Sequence, residues 1–124
     1  MLKLFIVSVL GIILIQPTTS LMAEEMIFRG VGAISCGELA ENYRRDPSNV
    51  ENMMLVWAQG FMSGANINQT PPGEYRDMAA MTLDDQTALL REYCDKHPFA
   101  KFINAAMDLY FKLPLKKISP STSR

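Results

Sequence analysis

Residues 48–67 read SNVENMMLVWAQGFMSGANI, and this stretch decides the fold class. Apolar and small side chains recur in it at intervals of three and four residues, which is the period of one buried helical face. That face comprises Val50, Met53, Met54, Trp57, Ala58, Phe61, Gly64 and Ala65. Ser48 and Glu51 match a capping box, which predicts the start of the helix. We expect a long helix that ends near Ile67.

Three shorter helices are predicted around it. Ser35 and Glu38 form a second capping box, for a helix that ends near Arg45. Thr82 is the predicted N-cap of the next helix, and Pro98 is predicted in the first turn of the last one. The expected apolar faces of these helices, in order, are Cys36, Leu39, Ala40 and Tyr43; Leu83, Leu89, Leu90, Tyr93 and Cys94; and Phe99, Phe102, Ile103, Ala106, Met107, Tyr110 and Leu113.

The sequence therefore predicts an all-α fold: a small four-helix domain over residues 24–113. Residues 69–81 contain Pro71-Pro72-Gly73 and are expected to form a loop. Residues 114–124 are polar and basic and are expected to be disordered.

Residues 1–23 have the layout of a secretory signal peptide. Lys3 precedes an uncharged apolar run, Leu4 to Ile15, that is too short to span a membrane comfortably. Small residues follow, so cleavage after Ser20 or after Ala23 is expected, with an uncleaved membrane anchor as the alternative. Contact with the membrane is expected only through this segment before cleavage. The expected location is the periplasm or the extracellular medium.

The cysteine count agrees with export. Cys36 and Cys94 are the two cysteines of the chain, and an even pair in an exported protein predicts a disulfide bond. By the chain-entropy model, closing a loop of this length stabilises the fold by about 4 kcal/mol. The alternative is that one of the two is a nucleophile or a metal ligand.

Composition excludes several classes of protein. The chain is 48 % hydrophobic and 20 % charged, which argues against a disordered chain. Its formal net charge is −1, so the chain lacks the overall positive charge that is typical of nucleic-acid-binding proteins, and a nucleic-acid partner is not expected. The charge is uneven: residues 112–124 carry Lys112, Lys116, Lys117 and Arg124 without an acid, whereas the body is acidic.

No enzyme, metal or cofactor motif is found in the sequence. The single histidine, His97, lies at a predicted helix junction and is expected to be a cap or an exposed side chain. Met78 and Met81 have a spacing found among copper ligands, but flexible core filling is the expected use. We therefore expect a non-catalytic protein that needs no cofactor and no metal.

The candidate site is the helical segment around Trp57, Gly60, Phe61 and Gly64. Two glycines four residues apart share one helical face, and each costs about 1 kcal/mol relative to alanine in a helix interior. Close packing of another helix against this face is the favoured explanation. A groove that accepts a partner chain is the alternative.

Three segments resemble small exported bacterial proteins. They are Ser35-Cys36-Gly37, the run Trp57-Ala58-Gln59-Gly60-Phe61-Met62-Ser63-Gly64-Ala65-Asn66, and Tyr93-Cys94-Asp95-Lys96-His97-Pro98. In layout the chain is similar to the HdeA/HdeB acid-stress chaperones and to the Tai-type immunity proteins, over residues 30–113. HdeA-like chains are shorter and lack the Trp-Ala-Gln-Gly run, and Tai-type chains carry additional cysteines.

The resemblance implies a protein-binding role in the periplasm. An HdeA-like stress chaperone would hold unfolding client proteins, whereas a Tai-type immunity protein would bind one specific effector enzyme. A third reading is an envelope-associated domain whose basic tail touches anionic surfaces. The resemblance leaves the oligomeric state open, with a homodimer as one option.

Overall fold

The computed structural model describes residues 29–119, so the predicted signal peptide lies outside the described residues. Within this range the chain forms four α-helices: α1 (Cys36–Arg45), α2 (Pro47–Asn68), α3 (Leu83–Lys96) and α4 (Phe102–Lys112). A 3₁₀ turn, Gly30–Ala33, precedes α1. The predicted four-helix architecture is confirmed. None of the helices in residues 29–119 is both long and apolar enough to cross a bilayer.

The start of α1 is joined covalently to the end of α3. The Ser35 hydroxyl accepts a hydrogen bond from the Glu38 amide at 3.2 Å, as the capping box predicts. One residue further on, Cys36 forms a disulfide bond with Cys94, across a Cα–Cα distance of 4.8 Å. The predicted pairing is confirmed, and such a bond is typical of oxidising compartments.

Helix α2 begins earlier than its predicted capping box. Asp46, not Ser48, is the N-cap: its carboxylate accepts a hydrogen bond from the Asn49 amide at 3.3 Å. Pro47 then occupies the first helical position, where its missing N–H costs nothing. The capping box at Ser48 is therefore a wrong prediction, although the helix itself is present and ends at Asn68.

The core lies between α2, α3 and α4, with α1 closing one side. Its fully buried large side chains come from all four helices and the residue after α4: Leu39, Met62, Gln86, Leu90, Phe102, Leu109 and Leu113. Gln86 fills a position where a polar residue was not expected. Its amide donates to the carbonyl oxygens of Met78 and Met81, at 2.9 and 3.0 Å.

Three predicted core residues lie on the surface. Leu83 is 54 % exposed, Phe99 is 96 % exposed and Met107 is 39 % exposed. Phe99 is exposed because α4 begins only at Phe102. The carbonyls of Pro98 and Ala100 accept hydrogen bonds from the first amides of α1, at Gly37 and Cys36, both at 2.8 Å. Residues 98–101 are thereby held outside helical geometry.

A small β-ladder connects the predicted loop to the predicted tail. Strand β1 (Glu74–Arg76) pairs antiparallel with β2 (Leu115–Lys117), and Tyr75 stands opposite Lys116. The predicted disorder of the tail is thus corrected for residues 115–117, because backbone pairing with β1 orders them. The rest of the predicted loop includes a second 3₁₀ turn, Met78–Ala80.

Candidate functional site

Gly60 and Gly64 lie on the outer side of α2, where none of the other three described helices crosses them. A Cβ atom placed on either glycine would meet no neighbouring atom of residues 29–119 within 4 Å. The expected close packing of a second helix at this pair is therefore wrong. The helix is rotated so that Met54, Ala58 and Met62 face the core, which leaves the glycine pair facing outward.

The glycines form one wall of an open apolar groove between α2 and α4, with a volume of about 490 Å³. Helix α4 supplies the opposite wall. The lining residues are Gly60, Phe61, Gly64, Ala65, Asn68, Gln69, Ile103, Met107, Tyr110 and Phe111. Phe111 is 60 % exposed and Met107 is 39 % exposed, so large apolar side chains border the opening.

The groove is free of formal charge at neutral pH. None of its lining residues is acidic or basic. Helix α2 carries a single charged residue, Glu51, which accepts hydrogen bonds from Arg91 and Tyr43 on the far side of the domain. The outer face of α2 is completed by Val56 and Ile67, which are 60 % and 82 % exposed. A contiguous exposed apolar surface of this kind is typical of an interaction site.

Arg76 fixes the position of the α4 wall. Its guanidinium donates to the carbonyl oxygens of Phe111 and Leu113, at 3.1 and 2.8 Å. The same group lies 5.3 Å from the Tyr110 ring centroid and 5.1 Å from that of Phe111. These contacts hold the last turn of α4, and with it the Phe111 side chain, at the groove.

Asn66 joins α2 to this arrangement. Its side-chain amide exchanges two hydrogen bonds with the backbone of Arg76, at 2.8 and 2.9 Å, in the manner of a neighbouring strand. Its amide oxygen also accepts a hydrogen bond from the Tyr110 hydroxyl at 3.2 Å. The two walls of the groove are therefore cross-linked through Asn66 and Arg76, and the groove exists before anything binds.

Comparison with protein-family models, curated proteins and solved structures finds no match.

Trp57, the remaining predicted site residue, lies outside the groove. Its ring stacks on Phe61 at 5.6 Å and meets the edge of Phe102 at 5.8 Å. It also covers Gly30 and Gly32 of the first 3₁₀ turn. Of the four predicted site residues, the structure thus brings Gly60, Phe61 and Gly64 together and assigns Trp57 to packing.

Sequence reasoning missed the α4 side of the groove. Phe111 falls outside the predicted apolar stripe of α4, and it is 60 % exposed in the structure. One available signal was the near absence of charge from the 22 residues of α2. A helix that buries a single stripe does not need to lack charged residues, because its solvent-facing side ordinarily carries them.

The other sequence candidates do not join this site. Met78 and Met81 pack against the hydrophobic core, as expected for flexible filling. His97 is exposed and ends α3, with its ring 4.5 Å from that of Tyr93. Among residues 29–119, no three histidine, cysteine, aspartate or glutamate side chains are grouped so that they could hold a metal ion.

Proposed function

We propose that this chain is a non-catalytic, periplasmic protein-binding domain that holds apolar side chains of a partner polypeptide in the α2–α4 groove. The observation that carries the proposal is the pair of outward-facing glycines. Gly60 and Gly64 each cost helix stability and gain no packing contact in return. Their lack of side chains keeps the groove open, and an open groove is useful only if something enters it.

The dimensions of the groove fit this role. A volume of about 490 Å³ lies within the range of about 300–1,000 Å³ that is common for binding clefts. Its walls combine three aromatic rings, a flexible methionine and bare backbone, which suits apolar side chains of different shapes. The side chains of Gln69 and Asn68 add polar groups at one end, and the Asn68 amide there donates to the Gly64 carbonyl at 3.2 Å.

The periplasm is the proposed location. The support is the signal-like layout of residues 1–23 together with the Cys36–Cys94 disulfide, which an oxidising compartment would maintain.

Within this class, the favoured role is that of an HdeA-like stress chaperone active in acid. The groove has no acidic or basic side chain, so its apolar character would survive acidification. Several surface carboxylates, by contrast, are ion-paired. Hydrogen bonds from Arg44, Lys116 and Lys96 hold the pKa values of Glu41, Asp77 and Glu92, respectively, below their ordinary range. Their protonation in acid removes these pairs and leaves a positive chain that loosens by self-repulsion.

The alternative is a Tai-type immunity or inhibitor protein that binds one effector enzyme. Its support is the cross-linked geometry of the groove. A preformed site held by Asn66 and Arg76 lowers the entropic cost of binding a single, shape-matched partner.

Two groove variants and one matched control test the proposal. Gly64→Leu fills the groove, and Phe111→Ser removes its most exposed aromatic wall. Phe99→Ser removes an exposed phenylalanine that does not line the groove. Light scattering of an unfolding client protein is followed at pH 7 and at pH 3, after circular dichroism has established that each variant is folded.

We expect wild type and Phe99→Ser to suppress client aggregation at pH 3, and both groove variants to lose most of that protection. Equal protection by all four proteins would exclude the groove as the site. If wild type protects no client at either pH, the chaperone role fails. The inhibitor role is then tested by asking whether one envelope protein is captured by wild type and Phe99→Ser but not by the groove variants.

A further inference from the structure

Strand β2 is held to the domain by backbone pairing with β1 and by one ion pair, between Lys116 and Asp77. All three of its residues are exposed, and Leu115 and the following Ile118 are 46 % and 60 % exposed. The ladder is flanked by two further hydrogen bonds, from the Asp77 amide to the Pro114 carbonyl at 2.9 Å and from the Ile118 amide to the Gly73 carbonyl at 2.8 Å. Because Leu115 is the one apolar residue of β2 and stays 46 % exposed, the hydrophobic effect contributes little to the attachment of the strand.

Strand β1, in contrast, is anchored from its other edge. The Asn66 amide bonds both backbone groups of Arg76, and the Arg76 side chain is bonded to the carbonyl oxygens that end α4. Removing β2 would therefore leave β1 in place, with one row of backbone donors and acceptors open. Such an edge accepts an added strand.

Charge indicates what kind of strand this edge accepts. The Lys116 ammonium lies 2.5 Å from the Asp77 carboxylate, and Lys117 stands opposite Glu74 in the register. Both carboxylates belong to the body of the domain, whereas both lysines belong to the tail. The edge of β1 is therefore acidic and is covered by a basic, extended segment.

We propose that the edge of β1 is a strand-addition site for a basic, extended segment of a partner polypeptide, and that the chain's own β2 occupies this site as an intramolecular stand-in. The register of β2 defines the ligand: an extended stretch with basic residues opposite Tyr75 and Glu74. This site is separate from the α2–α4 groove and does not require that the groove bind anything.

A tethered tail excludes weak competitors. A short flexible connection gives a tethered segment an effective concentration on the order of millimolar, so a free peptide of the same sequence must exceed that concentration to displace it. A partner can displace β2 if it is longer or if its side chains also bury apolar surface. The tethered tail thus sets the minimum affinity that a partner segment needs in order to displace β2.

The test uses the full chain and weakens only the tail. In Lys116→Glu/Lys117→Glu, two new carboxylates face Asp77 and Glu74 and repel β2 from β1. Both substituted side chains are exposed, so the substitutions do not change the hydrophobic core. A capped peptide with the sequence of residues 114–119 is titrated into wild type and into this variant. Amide shifts of residues 73–77 report binding, and circular dichroism confirms that the helices are retained.

We expect the peptide to bind the variant at least about tenfold more tightly than wild type, with the shifts confined to β1 and its flanks. A peptide carrying the same two Lys→Glu changes is expected not to bind. Equal binding to wild type and variant, shifts outside β1, or no binding to the variant would each overturn the proposal. So would rapid hydrogen exchange of the Ile118 amide in wild type, because the tail would then not occupy the edge.

Discussion

A Cβ atom placed on Gly32 would lie only 2.2 Å from the ring of Trp57. The indole therefore occupies the space in which any other residue at position 32 would carry its side chain. Since the same ring meets Phe61 and Phe102, it holds the first 3₁₀ turn against α2 and α4. Trp57 thus organises the amino-terminal end of the described chain.

Gly32→Ala is expected to destabilise the protein by about 1–3 kcal/mol, because the methyl group must displace the indole from a packed position. Urea denaturation followed by tryptophan fluorescence measures both the stability and the environment of the ring. Gly60→Ala is the matched control, since it adds the same methyl group in open space. An unchanged unfolding midpoint for Gly32→Ala would contradict the contact.

Gly60→Ala and Gly64→Ala are each expected to stabilise the protein, by up to about 1 kcal/mol, because alanine restricts the unfolded chain and favours the helix. No atom lies near enough to offset the gain. Thermal and urea unfolding measure the change. A loss of stability in either variant would indicate that another part of the chain packs on this face.

Loss of the disulfide is expected to cost about 4 kcal/mol, because the bond closes a long loop, with Cys36 and Cys94 separated by 58 positions. Cys36→Ser/Cys94→Ser should unfold at a much lower urea concentration than wild type. Thiol titration of denatured, unreduced wild type is the control and should find close to no free thiol. Two reactive thiols would contradict the bond.

Asn66→Ala is expected to cost about 1–3 kcal/mol, because it leaves backbone groups of Arg76 and the Tyr110 hydroxyl without their partner. Asn66→Asp retains an oxygen that accepts from the Arg76 amide and the Tyr110 hydroxyl, but it replaces the donor to the Arg76 carbonyl with a carboxylate oxygen that this carbonyl repels, so a loss of stability is expected here as well. Hydrogen exchange at the Arg76 amide separates the two variants. Equal stability of wild type and Asn66→Ala would show that Asn66 does not anchor β1.

The attachment of β2 is expected to weaken in acid. The hydrogen bond from Lys116 lowers the pKa of the Asp77 carboxyl, so this ion pair contributes fully above the ordinary pKa of aspartate, about 4. Its contribution is lost as the pH falls from there through the lowered pKa. Protection of the Ile118 amide from hydrogen exchange should fall over the same range.

Asp77→Asn should lower that protection at neutral pH and flatten its dependence on pH. Glu92→Gln provides the control, because Glu92 is also ion-paired, with Lys96, but lies on α3 away from the ladder. If protection of the Ile118 amide in wild type does not change down to pH 2, the Asp77–Lys116 ion pair does not stabilise the attachment of β2.

The features that were predicted correctly depend on neighbours in the chain. Ser35 and Thr82 cap their helices because each hydroxyl meets an amide three residues later, which is visible in the sequence. The periodic apolar residues of α2 predict a helix because a buried stripe needs only the helical repeat. The partner of Cys36 followed from the count, since Cys94 is the only other cysteine.

The features that were missed depend on bonds between distant residues. Periodicity places Gly60 and Gly64 on one face, but only the packing of Met54, Ala58 and Met62 turns that face outward. Helix α4 starts at Phe102 because the carbonyl groups before it accept hydrogen bonds from the first amides of α1. Strand β2 forms because Asn66 holds β1 in an extended conformation with which β2 can pair. Backbone groups must find partners somewhere, and the sequence does not reveal which distant partners they find.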